Sequence, residues 1–161
     1  KLAIGVSYDH NNNAVRTRSN QGAYMVTDTG FYETNINTLF IDAMFKYKGF
    51  SLMAEYADRD AKDPIAKNSD GTETGRVVQI GKGLNIQSGY LFKNNWEVSG
   101  RYSTVELDQN ITGTMPENQY TLGLSKFIVG HSLKVQTDVS LIDVANLGEQ
   151  VLYRLQFDIH F

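Results

Sequence analysis

The side chains with chemistry to offer are charged, and they keep to one parity of a repeating pattern. Lys46, Arg101, Lys134 and Arg154 share this alternation with Asp42, Glu55, Glu97, Asp138 and Asp158, most of them flanked on both sides by apolar residues. Successive side chains of a strand point to opposite faces, so a set of this kind describes a charged face backed by an apolar one. Glu97 and Arg101, Lys134 and Asp138, and Arg154 and Asp158 are each four apart in sequence. Along one strand face that spacing is about 13 Å, too far for direct pairing. Partners must therefore come from neighbouring strands. Arg101, Lys134 and Arg154 either form part of a basic wall that attracts anions or are absorbed into such cross-strand pairs, and the sequence leaves both open.

Other chemistries find no constellation. His131-Ser132 falls in a predicted turn with no third partner for nucleophilic catalysis, so no catalytic residue is assigned and no enzyme is expected. His10, His131 and His160 are scattered without metal-ligand spacing. Asp58, Asp60 and Asp63 lack the glycine and terminal glutamate of a calcium loop. Without cysteine there is no disulfide or thiolate site. No metal or cofactor is expected. The net charge of −3 is spread without a basic stripe, which argues against nucleic acid as a partner.

The elements that must position the charged face are strands. From Gln150 to Phe161 every odd residue is apolar (Val151, Tyr153, Leu155, Phe157, Ile159, Phe161), with Arg154, Gln156, Asp158 and His160 between. That is longer than the usual five or six residues of a soluble strand and matches the roughly 9–11 of a tilted strand crossing a bilayer. The same alternation marks Leu2–Tyr8, Asn37–Tyr47, Phe50–Ala57, Leu84–Phe92, Trp96–Ser103, Tyr120–Ile128 and Leu133–Leu141, eight strands in all. Phe40 and Met44 blur the polarity of the second. Gly81-Lys82-Gly83 reads as a bulge ahead of the fourth, with Arg76–Lys82 assigned either to that strand or to a loop.

Lys48-Gly49, Lys93-Asn94-Asn95 and Gly130-His131 read as tight turns. Residues 9–34, 58–75 and 107–117 read as polar loops, and a short loop surrounds Asn146-Leu147-Gly148. Residues 9–34 are expected to be a solvent-exposed loop, a pore-constricting fold being the less common fate. Short and long connections alternate, which predicts a membrane β-barrel with periplasmic turns and extracellular loops and places Lys1 and Phe161 on the periplasmic side. Tyr47, Phe50, Phe92, Trp96 and Phe161 fall near the turns, and Tyr8, Tyr56, Tyr102 and Tyr120 near the loops, as two aromatic girdles would require. A soluble sandwich also alternates but does not sort its connections by length. The opening at Lys1, without initiator Met or signal peptide, reads as a mature protein or a piece of one.

From Leu84 onward the chain resembles the phosphate-selective porin O/P family. The resemblance rests on Gly89-Tyr90-Leu91-Phe92, Trp96-Glu97 with Arg101-Tyr102-Ser103, and Tyr120-Thr121-Leu122-Gly123-Leu124. It continues through Gly130-His131 with Leu133-Lys134-Val135-Gln136, and ends with Arg154-Leu155-Gln156 running to Phe161. It implies a sixteen-stranded, trimeric outer-membrane porin through which small solutes, in some members phosphate and other anions, diffuse passively. Phe161 would then be the terminal signal read by the assembly machinery. Residues 1–161 would form one β-barrel domain or its C-terminal half, with outer-membrane lipid and the remaining barrel strands as partners. The pore-lining candidates are the nine charged residues named first. A closed eight-stranded barrel serving as membrane anchor or scaffold is the alternative; eight is an even number and both ends would lie on one side.

Overall fold

The computed structural model describes residues 1–130 and 132–160. His131, placed in a turn by the sequence, and Phe161, the expected assembly signal, lie outside the described residues. The alternating segments become eight long strands. These are β1 (Leu2–Ala14), β6 (Thr34–Tyr47), β7 (Phe50–Ala61), β10 (Gly81–Leu91), β11 (Trp96–Leu107), β12 (Glu117–Val129), β13 (Leu133–Val144) and β14 (Gly148–Ile159). Between them lie the short β2 (Arg16–Arg18), β3 (Gln21–Tyr24), β4 (Val26–Thr27), β5 (Gly30–Phe31), β8 (Ile65–Lys67) and β9 (Glu73–Val77), and one helical turn, α1 (Gln109–Thr112). The long strands make a single antiparallel sheet in the order β1-β6-β7-β10-β11-β12-β13-β14, each paired with its neighbour in that order. The sheet is open, for β1 and β14 do not pair with each other. No helix among the described residues is long and apolar enough to cross a membrane.

Local chemistry sets the hairpins. Lys48 and Gly49 both take positive φ, 45° and 87°, the requirement of a two-residue type I′ turn, and Tyr47 pairs directly with Phe50. Asn95 at φ 64° closes the second turn, where Phe92 N–H donates to the Trp96 carbonyl at 2.8 Å. The loop at 145–147 is as tight as the turns, so connection length sorts the two ends of the sheet less strictly than the sequence suggested.

Several strands run further than their alternation. β1 reaches Ala14, β7 reaches Ala61 and β11 reaches Leu107, through Asn11–Asn13, Asp58–Asp60 and Glu106, where polar residues on both faces hide the period. The expected bulge at Gly81-Lys82-Gly83 is absent. Gly81 through Tyr90 stays in continuous register with both β7 and β11. Gly81 is needed for a different reason: at φ 137° it lies against the Glu106 carbonyl, where a Cβ would collide. Arg76 belongs to β9. A register shift between Phe127 and Val129 places the one irregularity of β12 at its turn end.

The two faces of the sheet differ. Leu2, Ile4, Val6 and Tyr8 at one edge and Val151, Tyr153, Leu155, Phe157 and Ile159 at the other lie on one face, and all are exposed. Register links these edges through Phe45, Leu52, Ile86, Tyr102, Leu122 and Val139. On the opposite face Ser125, Asp138 and Ser140 are buried, Ser140 completely. Crowding on one face and splaying on the other is what bending toward the polar side produces. Small residues make that bend possible: a Cβ on Gly123 would come within 2.7 Å of Ser99 Oγ.

Candidate functional site on the polar face

Register gathers the predicted charges on this concave face. Asp42 and Glu55 are direct cross-strand neighbours on β6 and β7, and Asn85 Nδ2 donates to Glu55 Oε2 at 2.9 Å. Lys46 pairs across from Ser51 at the turn end, and Glu97 across from Ser125. Arg101, Lys134 and Arg154 lie toward the other edge, with Asp138 and Asp158 among them. Lys134 is the register partner of Asp158, with Nζ 3.1 Å from Oδ2, and Asp138 that of Arg154, with Oδ1 3.8 Å from Nε. These acids are the cross-strand partners that the four-residue spacing denied within a strand. Arg101, between Gln87 and Thr121, has no acidic partner among the described residues. Its Nε is buried without a hydrogen bond, as are Asp138 Oδ1, Asn85 Oδ1 and Thr104 Oγ1.

Two hollows open on this face. One, of about 520 Å³, lies over β6, β7, β10 and β11 and mixes Phe40, Met44 and Met53 with Asp42, Glu55 and Asn85. The second, of about 90 Å³, is lined by polar side chains including Arg101, Thr121, Asp138 and Arg154. The apolar intrusion of Phe40 and Met44 into the polar parity thus has a place, as the floor of the larger hollow.

The loops do not stand off in solvent. Met25 from the first loop and Ala66, Val78 and Ile80 from the second pack with Ala14, Ile36 and Ala61 into a buried apolar cluster, against which Tyr32 and Ile111 rest. Ile36 and Ala61 are register partners on the same parity as Thr38 and Arg59, so this cluster sits on the polar face. Gln79 N–H donates to the Thr17 carbonyl at 2.8 Å and ties the two loops together. The exposed loop expected for residues 9–34 is therefore corrected, because its apolar residues find a core by turning inward.

This folding assembles a second charged group that the sequence did not single out. Arg59 Nε donates to Thr38 Oγ1 at 3.1 Å, and its guanidinium lies within electrostatic range of Arg18 and Asp9. Ser19 Oγ donates to Asp9 Oδ2 at 3.3 Å. The only sequence signal was the presence of short apolar groups, Tyr24-Met25-Val26 and Val77-Val78 with Ile80, in otherwise polar stretches. Further out, Asp28 accepts from the Ser69 amide at 2.9 Å and from its hydroxyl, which holds the Asp28 carboxyl below its ordinary value. Burial, reinforced by Asp63, pushes the Tyr32 phenol up, so it stays neutral.

The remaining candidates stay apart. Asp58 accepts from Tyr56 Oη at 3.1 Å and faces Lys82 at 4.0 Å, while Asp60 accepts from the Ala61 amide. Among the described residues no group of three histidines or carboxylates could hold a metal ion. His10 contacts Asn37, and His160 follows the end of β14 with its amide on the Ser132 carbonyl. No protein-family model, curated protein or solved structure matches the chain.

Proposed function

We propose that this chain forms the wall of a bacterial outer-membrane β-barrel and acts as a porin, letting small anionic, phosphate-like solutes diffuse passively along its polar face. One observation carries the reading: on all eight strands no residue of the apolar face is buried, its side chains being exposed at the two edges and half-buried or exposed between them. Soluble monomers rarely leave contiguous apolar patches beyond a few hundred Å², whereas a barrel wall needs such a band against lipid. From Val151 to Ile159 the band covers about 27 Å of strand, or a little over 20 Å at a tilt near 40°, close to the ~25 Å of outer-membrane barrels.

The margins of the band support the same reading. On the apolar parity, ionisable residues fall at its loop end (Asp58, Lys82, Glu106, Asp143, Glu149) and, at the turn end, at Lys126 beside Trp96. Three tyrosines send their hydroxyls toward the loop end: Tyr8 to Asn37, Tyr56 to Asp58 and Tyr102 to Asn118, at 2.9–3.1 Å. An amphipathic ring at a bilayer interface orients in this way. The open edges favour a larger cylinder, completed by further strands, over an eight-stranded barrel closed by β1 and β14; a trimer is what the family resemblance adds. In such a cylinder the loops folded onto the polar face narrow the passage beside Arg18 and Arg59.

The test is reconstitution into planar bilayers under a salt gradient. Stepwise conductance with a reversal potential favouring anions is expected. A protein that stays in the aqueous phase, or inserts without conducting, would leave the porin reading without support.

A further inference from the structure

We infer that the hollow between Arg101 and Asp138 binds a small monocarboxylate that also carries a hydroxyl, a short hydroxy acid. The inference deepens the channel reading by naming a solute class for its wall. It begins from two complementary orphans. Arg101 Nε is a buried donor with no acceptor, and Asp138 Oδ1 is a buried acceptor with no donor, in a side chain 8% exposed. Arg154 Nε, at 3.8 Å, neutralises Asp138 without reaching hydrogen-bond distance. Polar groups enclosed this way are satisfied by water or by a ligand.

The two orphans lie on β11 and β13 with β12 between and two residues out of register, roughly 12 Å apart at the backbone, and both line one hollow with Gly123 between them. A ligand that satisfies both needs an acceptor at one end for Arg101 and a donor at the other for Asp138. Charge narrows the choice. Arg101 and Arg154 against Asp138 leave one positive charge, which matches a monoanion better than a dianion. Size narrows it again: about 90 Å³ is smaller than a cavity of roughly 150 Å³ that takes a benzene, room for a two- or three-carbon acid but not for a sugar or nucleotide. A carboxylate meets the planar fork of an arginine well, and a hydroxyl two atoms away supplies the proton for Asp138. Gln87, Gln136 and Thr121 give further amide and hydroxyl groups around the rim.

The experiment uses the full chain refolded into lipid nanodiscs, with the Nε–H resonance of Arg101 followed by NMR during titration with lactate, propionate or inorganic phosphate. Lactate is expected to shift that resonance saturably, with propionate, which lacks only the hydroxyl, about tenfold weaker or worse. D138N is expected to erase the lactate preference while lactate still binds, and R101Q to abolish binding of both acids. Backbone amide resonances of β12 and β13 report that each variant is folded. Equal affinity for lactate and propionate, tighter binding of phosphate, or an Arg101 resonance that no probe moves would overturn the inference, the last outcome leaving a hollow that holds water only. Because binding is read without conductance, a silent bilayer with intact lactate binding would sink the channel reading alone.

Discussion

The loop end over β1, β6 and β7 and the bare sheet of β11 to β14 are held together by different physics. At the loop end Met25, Ile36, Ala66 and Val78 are wholly shielded from solvent, an apolar cluster of the kind that any soluble domain has. In the bare sheet the most buried side chains are Ser125, Asp138 and Ser140, and the large apolar residues point outward. Thr121 Oγ1 and Ser140 Oγ meet at 2.7 Å there, and ion pairs replace apolar contacts. The first region can draw on the hydrophobic effect in water alone. The second leaves its apolar face uncovered, the face that the proposed membrane setting would place against hydrocarbon, and holds the other with hydrogen bonds.

The largest effect should come from the loop core. M25A removes a side chain with no exposed surface, and a buried methionine cut to alanine costs about 2–5 kcal/mol. Amide exchange at Tyr32 and Val78 should accelerate while that at Leu122 and Val139 stays put; equal acceleration in both regions would mean that they form one cooperative unit.

The second effect separates the faces of the bare sheet. V139R, on the exposed apolar face, should cost about 2–4 kcal/mol in a bilayer, against little for Q156R on the polar face. Urea titration in lipid vesicles measures the difference, and equal costs would contradict the lipid-facing assignment.

A smaller change is expected at the paired charges. Lys134 and Asp158 meet at 3.1 Å with both side chains partly exposed, so a double-mutant cycle of K134A and D158A should return a coupling of about 0.2–1 kcal/mol. A coupling of zero would mark the pair as incidental.

The smallest effect concerns pH and belongs to the loops alone. The hydrogen bonds from Ser69 lower the Asp28 carboxyl below its ordinary value of 3.8, so the folded form prefers the ionised group. That contribution is complete above the ordinary value and is lost as pH falls through the lower folded one. The Ser69 amide shift should therefore titrate below pH 3.8, and D28N should remove the titration without disturbing β13 or β14. Persistence of the titration in D28N would assign it to another acid, Asp70 being the neighbour.

Much of the bare sheet was legible in advance. The parity of Leu133–Leu141 and Val151–Ile159, the Lys48-Gly49 turn, and the need of Lys134 and Arg154 for cross-strand acids all follow from a side-chain period of two. The loop region was not. Short apolar groups such as Tyr24-Met25-Val26 and Val77-Val78 carry no sustained period, and the polar extensions of β1 and β7 hide theirs, because one face meets loops and the other meets water. The joining of Arg59 to Thr38, with Arg18 and Asp9 close by, depends on how two loops distant in sequence pack.

The sequence by itself determined the all-β character, the eight long strands and the placement of the nine named charges on one face, because alternation is a local property that each strand carries alone. Tertiary structure decided that the first two loops fold inward, that Gly81 marks close approach of chains instead of a bulge, and that Arg101 and Asp138 share one hollow. These depend on register between strands and on where isolated apolar side chains find partners, distances that no single segment of the chain encodes.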